Sequence, residues 1–384
     1  MSDKKSVLKT IKDEDVAYVD LRFCDPKGKL QHVTVVADLV DEDFLDEGMM
    51  FDGSSIAGRK AVNESDMVRM PTLKTPVMDP FTAQPKMVIV CDVYEPGTGQ
   101  AYSRCPRSIS KKAEAYLKSA GIGDTAYFGP EPEFFIFDDV RFDVNMHGCS
   151  YRIDSEEGAW NSQTEYKGGT TGHRPGVKGG YFPVPPVDAL HDLRANMCKV
   201  LEKMGQVVEV HHHEVGTAGQ CEIGTRFSTL TKKADEVLDL KYVVQNVAHA
   251  AGRTATFMPK PIAGVNGSGR HVHQSLTDKA TGKNAFVDTA GDGAYGLSKL
   301  ALQFVAGQLA HARSFSAVIA PLVNSYKRLV PGYEAPVYIS WARMNRSALI
   351  RIPRVRPAQP QSTRIELRCP DPSANPYLAF AVML

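Results

Sequence analysis

Two glutamates stand two residues apart in Gly129-Pro-Glu-Pro-Glu-Phe-Phe-Ile-Phe137, beside a strongly apolar tail. Side chains alternate along a strand, so Glu131 and Glu133 project from one face. Adjacent carboxylates repel and need a cation nearby unless one is protonated. Glu214, Glu222, His271 and Glu366 follow, each in a short stretch of strand-like composition. Six acidic or imidazole ligands drawn from four separated segments point to a polynuclear site for hard divalent cations, a kind of site that handles phosphate. A solvated strand face is the duller reading of Glu131 and Glu133. The run Phe134 to Phe137 opposes it, because such a strand is buried and buried carboxylates must find partners.

Three further clusters carry chemistry. In Glu209-Val-His-His-His-Glu-Val-Gly-Thr-Ala-Gly-Gln-Cys-Glu-Ile223, Gly216 and Gly219 fit a tight hairpin that brings Glu214 and Glu222 to one face. Adjacent histidines alternate faces, so three cannot share one ion. His212 has the parity of Glu214, and His211 and His213 read as structural. Asn266-Gly-Ser-Gly-Arg-His-Val-His-Gln-Ser275 offers backbone amides to an anion, then places His271, His273 and Ser275 on one strand face. It lacks the Gly-Lys-Ser/Thr ending of a Walker loop. Last comes the series Arg328, Arg343, Arg346, Arg351, Arg354, Arg356, Arg364 and Arg368. It suits a pocket gripping carboxylate and phosphate groups better than an RNA-binding face. Glu366, two residues from Arg364 and from Arg368, is either a metal ligand among phosphate-binding groups or half of a salt-bridge ladder.

The elements that must position these residues follow from periodicity. Residues 16–23 and 30–36 read as strands joined by a turn at Asp25-Pro-Lys-Gly28, and 86–94 as another strand. Pro106 opens a helix running to about Ala120. Strands bearing the chemistry then alternate with helices at about 187–204, 231–251 and 295–312. The polar, glycine-rich stretch 138–180 reads mainly as loops. A boundary near Ser103 gives a small sheet-rich domain over 1–103 and a larger one over 104–384.

A chain of 384 residues buries a substantial core. Its 45 basic and 44 acidic residues balance, which gives no reason to expect nucleic acid. The first twenty residues hold Lys4, Lys5, Lys9 and Lys12 and lack the apolar core of a signal peptide. No apolar run reaches the length of a membrane span. Seven cysteines without a Cys-x-x-Cys pair read as reduced thiols in a cytoplasm.

Taken together, the clusters make the chain resemble the glutamine synthetases, of bacterial type I. The matching segments are Phe51-Asp-Gly-Ser-Ser-Ile56, Gly129-Pro-Glu-Pro-Glu-Phe134, Lys178-Gly-Gly-Tyr-Phe-Pro183, His212-His-Glu-Val215 with Ala218-Gly-Gln220, and Asn266-Gly-Ser-Gly269. Asn324-Ser-Tyr-Lys-Arg-Leu329, Pro331-Gly-Tyr-Glu334, Asn345-Arg-Ser347, Arg364-Ile-Glu366 and Asn375-Pro-Tyr-Leu378 continue the family's order.

The resemblance implies an α+β protein: a β-grasp-like N-terminal domain, then a catalytic domain with a curved antiparallel sheet flanked by helices. It implies two stacked hexameric rings of identical subunits, each active site lying between neighbours. The implied reaction is ATP-dependent ligation of ammonia to glutamate through γ-glutamyl phosphate. The rivals are a glutamate–polyamine ligase and a non-catalytic protein of the same fold.

By the same resemblance, Glu133, Glu214 and Glu222 hold one cation, and Glu131, His271 and Glu366 a second. The ions are Mg²⁺ or Mn²⁺, two to three per site, with ATP as co-substrate. Asn266, Gly267, Arg328, Glu334 and Arg368 bind glutamate. Asp52, donated across a subunit interface, binds ammonium with Ser55, Tyr181 and Glu214 and takes its proton. Glu209, Phe227, His273, Ser275, Arg346 and Arg351 contact the nucleotide, Arg346 also stabilising the transferring phosphoryl group. Glu334 sits on a flap that shields the intermediate.

The sequence departs from the family at Arg59, usually tryptophan, and at Gln361, often lysine. It stops inside an apparent helix at Ala381-Val-Met-Leu384, where family members continue, so it reads as C-terminally short.

Overall fold

The computed structural model describes residues 3–384 except 57, 59–64, 74–75, 167–169 and 292. Arg59 therefore lies outside the described residues. In the N-terminal part, α1 (Lys4–Asp13) and α2 (Glu42–Glu47) accompany seven strands. These are β1 (Tyr18–Cys24), β2 (Leu30–Val36), β3 (Met49–Asp52), β4 (Asp66–Pro71), β5 (Val77–Met78), β6 (Lys86–Glu95) and β7 (Gln100–Ala101). They form one sheet of order β2-β1-β6-β4-β3, with β5 and β7 added to β6. The expected hairpin is β1–β2, antiparallel from Tyr18↔Val36 to Cys24↔Leu30. The central pair β1–β6 is parallel.

Pro106 at the first turn starts α3 (Pro106–Ser119), where its missing N–H costs no hydrogen bond. Then follow β8 (Thr125–Phe137), β9 (Asp139–Asn145), β10 (Gly148–Asp154) and α4 (His191–Lys203). After them come β11 (Val208–His213), β12 (Gln220–Thr225), β13 (Ser228–Thr229), α5 (Leu230–Ala250), β14 (Thr254–Thr256) and β15 (Arg270–Thr277). The described chain closes with α6 (Lys299–Ile319), α7 (Val323–Arg328), β16 (Tyr338–Arg343), β17 (Ala348–Ile352), β18 (Ile365–Leu367) and α8 (Pro376–Met383).

The larger sheet runs β11-β12-β8-β15-β18-β17-β16, with β13 and β14 also on β8. Its ladders are antiparallel, as expected, except β16–β17 at one edge, which is parallel. One face is apolar: Phe128, Val272, Ile350 and Leu367 pack against Val237 of α5, Val305 of α6 and Phe380 of α8. Phe134, Ile136 and Ile223 extend it against Met197 of α4 and Val244 of α5. The opposite face carries the chemistry. Residues 138–180 are not mainly loop, because β9 and β10 form a hairpin pairing Phe142 with Tyr151. Both strands are largely exposed, so the hairpin lacks the half-buried face by which strands are recognised.

The two sheets are tied by buried polar contacts. The Arg107 guanidinium grips Asp235 of α5 through Nε and Nη2 (2.9 and 3.0 Å) and Asp92 of β6 through Nη1 (2.8 Å). Arg22 bonds Asp79 at 2.6 Å and lies 4.1 Å from the centroid of the Tyr242 ring. At the first turn, Asn375 Nδ2 donates to the Asp25 carbonyl at 3.0 Å. Gly28 has φ +88°, and a Cβ there would sit 2.9 Å from the Asn375 Cα, so only glycine permits this docking. Arg107→Ala leaves the partly buried Asp235 without its cation and the buried Asp92 with Lys111 alone, and is expected to lower stability by about 3 kcal/mol, read as a lower urea midpoint.

Candidate active site

Strand register assembles the site. His212, Glu222 and Glu133 stand directly opposite one another across β11, β12 and β8. Next to them Glu131 pairs with His271 between β8 and β15. His273, Glu366 and Arg351 continue the row across β15, β18 and β17. Cross-strand neighbours on one face approach within about 4.5–5.5 Å at Cβ, so the ladders alone force this crowding.

The row divides into two groups whose ligand atoms lie within 4.8 Å of one another: His212, Glu214 and Glu222, and Glu131, His273 and Glu366. The His212 nitrogens are each 3.5 Å from a carboxylate, Nδ1 from Glu214 and Nε2 from Glu222. His271 Nδ1 stands between the groups, 3.5 Å from Glu131 and 3.8 Å from Glu133. His273 Nε2 takes the closer place, 2.9 Å from Glu131. Sequence spacing puts both histidines on this face; the register sets His271 opposite Glu131 and His273 opposite Glu366, yet the His273 ring makes the closer approach to Glu131.

Electrostatics separate the groups further. Burial and the facing Glu214 push the Glu133 carboxyl up to about 8. Burial and Glu222 push Glu214 up to about 7, and burial does the same to Glu222 against the pull of His212. His212 is raised to about 9, its hydrogen bond to Glu222 overcoming burial. Burial and Arg368 lower His271 to about 4. Glu131 is only partly buried, and hydrogen bonds from both imidazoles hold it well below the usual range against its desolvation. The His212–Glu214–Glu222 side is thus short of positive charge.

Two cavities open onto the row and share Glu131, Val210 and Glu222. The first, about 250 Å³, holds Glu133, Glu214, His271 and Glu366 of the metal set. It also brings in Tyr181, Asn266, Gly267, Arg328, Glu334 and Arg368. Arg346 and Arg351, expected at the nucleotide, line this cavity too. The second, about 310 Å³, is lined by Glu209, Phe227, His273 and Ser275. Gln361 is there as well, its Oε1 accepting from the Asn284 N–H at 2.8 Å.

Some side chains already have internal partners. Arg328 donates from Nη1 and Nη2 to the carbonyls of Cys369 (3.0 Å) and Arg368 (3.1 Å). Both Glu366 oxygens are bound, one by Arg351 and the other by Arg368, so Glu366 is the centre of a salt bridge. The Gly269 N–H donates to Glu133 at 2.9 Å and the Ser268 N–H to the Pro259 carbonyl at 2.8 Å. Those two amides of the glycine turn therefore face the protein, not an external anion.

Asp52 and Ser55 line neither cavity. Asp52 is exposed at the end of edge strand β3. Bonds from the Ser54 hydroxyl, the Ser55 hydroxyl and the Ser54 N–H hold its carboxyl down at about 2.

Two positioning devices have no counterpart among the residues expected from sequence. Gln220 Nε2 donates to Glu133 (2.8 Å) and to the Gly267 carbonyl (3.0 Å), while its Oε1 accepts from the Gly216 N–H (2.8 Å). Its parity with Glu222 on one strand is the available signal. Behind the sheet, Glu157 accepts from the Gly219 N–H and meets His213 Nε2, both at 2.8 Å. The His213 contact crosses 56 residues of chain, beyond any local pattern.

Residues 15–96 match the family described as glutamine synthetase, beta-Grasp domain, and residues 103–384 match glutamine synthetase, catalytic domain. The chain is 62% identical over 380 residues to a glutamine synthetase of Methylococcus capsulatus, covering 99% of this chain and 80% of that one. It is 59% identical over 378 residues to the glutamine synthetase of Salmonella typhimurium, covering 98% and 79%. Among solved structures it is similar to a Plasmodium falciparum glutamine synthetase, with a TM-score of 0.92 and 29% identity over 100% of this chain and 74% of the other.

Proposed function

This chain belongs to the glutamine synthetase family, and from that membership we propose how its residues divide the work. The reaction is ATP-dependent formation of glutamine by a glutamate–ammonia ligase. Relatives about three-fifths identical carry that name, so neither a polyamine ligase nor a structural protein is favoured. The observation that carries the assignment of roles is the row of carboxylates and imidazoles between two cavities.

The family is ATP-dependent and uses divalent metals. The donor set fits them: carboxylates and imidazoles crowd within 4.8 Å, and burial beside like charges raises several of the carboxyls. Glu133, Glu214 and Glu222 would hold one ion and Glu131, His271 and Glu366 another, with His212 and His273 close enough to join. Oxygen-rich sets suit Mg²⁺, and the imidazoles admit Mn²⁺, two to three ions per site. Bound cations would neutralise charge between a nucleotide phosphate and the glutamate carboxylate.

ATP is assigned to the second cavity, where Phe227 offers a ring to the base and His273 and Ser275 face the phosphates. Glutamate is assigned to the first, against Asn266, Gly267, Arg328 and Arg368. Transfer then occurs at the shared wall of Glu131 and Glu222. Arg346, in the glutamate cavity, can meet the transferring group from the far side, with Arg351 alongside. The product of transfer is γ-glutamyl phosphate, from which ammonia displaces phosphate.

Tyr181 and Glu214 form the part of the ammonium site present in one protomer. Asp52 and Ser55 are assigned to the site of a neighbouring copy in two stacked hexameric rings. A carboxyl at about 2 binds a cation well but is a weak base; burial against a neighbour's cavity would raise it toward proton abstraction. The flap at Pro331–Glu334 closes over the intermediate. We place the domain boundary near residue 103 and the enzyme in the cytoplasm; among the described residues no helix is long and apolar enough to cross a membrane.

The test is glutamine formation with ATP, Mg²⁺, glutamate and ammonium, each omitted in turn. Glutamine that requires all four is expected. Glutamine formed without ATP or without the metal would overturn the division of roles.

A further inference from the structure

We propose that Lys178 and Lys260 are positioning residues that latch the Pro331–Glu334 flap over the active site by holding Gly332 and Tyr333. This rests on the reading of Glu334 as part of a flap that excludes water.

The flap has little of its own to keep it in place. Pro331, Gly332 and Glu334 are exposed, and Gly332 and Glu334 have φ of +87° and +55°. A glutamate in the left-handed region is strained and needs outside contacts to stay there. Those contacts converge on the residues just before it. Lys178 Nζ donates to the Gly332 carbonyl at 2.6 Å. The Tyr333 ring lies close to two ammonium groups, with Lys178 Nζ 4.9 Å and Lys260 Nζ 4.1 Å from its centroid. Both distances fall within the range at which a cation is attracted to an aromatic face.

The two lysines differ as anchors. Lys260 is buried and fixed at several atoms. Its N–H donates to Asn324 Oδ1 at 2.7 Å and its carbonyl accepts from Asn324 Nδ2 at 3.0 Å, while Nζ also bonds the Val265 carbonyl. It thereby links the flap to the loop carrying Asn266, whose Nδ2 bonds Glu334 and, at 3.4 Å, the Tyr333 carbonyl. Lys178 is exposed and reaches in from the loop before Tyr181. Three segments assigned to glutamate or ammonium are therefore joined at one tyrosine.

An unlatched flap admits water. The water oxygen attacks the acyl carbon of γ-glutamyl phosphate and the C–O bond to phosphate breaks. Glutamate, inorganic phosphate and a proton leave, so ATP is consumed with no C–N bond made.

The measurement is phosphate released per glutamine formed at limiting ammonium, in the full chain with Mg²⁺. Wild type is expected near one. Lys178→Met and Lys260→Met are expected to raise the ratio about tenfold, the scale of one lost cation–ring contact or charged hydrogen bond. Lys178→Arg, which keeps a cation and N–H donors, is expected to bring it back. Lys178 is exposed, so its variants fold whatever happens at Lys260. A ratio that stays near one in both methionine variants overturns the latch. Glu334→Ala separates the two readings: leakage there without leakage at the lysines sinks the latch alone, and no leakage in any variant sinks the flap reading with it.

Discussion

Glu366→Ala is expected to reduce glutamine-forming turnover by about a thousandfold, the scale of removing a charge-stabilising group from a transition state. Glu366 is fully buried and opposes His273 on one side and Arg351 on the other. Its oxygens bind Arg351 and Arg368. Removal by alanine therefore strikes twice: a ligand is lost, and two guanidiniums keep repelling each other with no anion between them. The stability cost is expected at about 3–5 kcal/mol. Phosphate release and Mn²⁺ titration by calorimetry check the two parts separately. Turnover near wild type would remove Glu366 from the metal site.

The metal-free protein is expected to lose stability as pH rises from 6 to 8.5, and divalent cations to restore it. Glu133 at about 8 and Glu214 and Glu222 at about 7 are all raised above the ordinary glutamate value of 4.5. Between the unfolded and folded values the native state binds more protons than the unfolded chain, so unfolding free energy falls with pH. Their contribution is complete below about pH 4.5 and is lost as pH climbs through 7 and then 8. A tenfold change in proton affinity corresponds to about 1.4 kcal/mol, so ionising this cluster costs several kcal/mol, roughly 5 °C in melting temperature for a chain of this size. Mg²⁺ or Mn²⁺ should cancel the slope, and binding near pH 7 should release protons, measurable as buffer-dependent heat. A melting temperature that rises between pH 6 and 8.5 without metal would contradict the cluster's assigned charge.

The acidic row is legible in the sequence because strand parity is a strict rule. Glu131 with Glu133, His271 with His273, and His212 with Glu214 each follow from spacing by two. What parity cannot supply is the partner across the ladder, and there the sequence is coarser than the structure. Family resemblance puts His271 with Glu366, where register sets His273 opposite that residue. The glycine turn offers its amides to a ligand, where a glutamate 136 residues away takes that of Gly269. The hairpin β9–β10 escapes sequence reading although Val140, Phe142 and Val144 alternate, because its strands are exposed and a pattern without a core to face is easily taken for loop. The parallel pairing of β16 with β17 leaves no mark in composition.

Because every proposed ligand but Glu214 is delivered by cross-strand register, a slip of one residue in β8, β12, β15 or β18 would turn its carboxylate or imidazole into the apolar face. Such a molecule would not be a weaker catalyst but a silent one, unable even to burn ATP idly. Specific activity after refolding should then count correctly registered molecules, while circular dichroism counts every sheet. The gap between the two would measure how often the chain finds the wrong ladder.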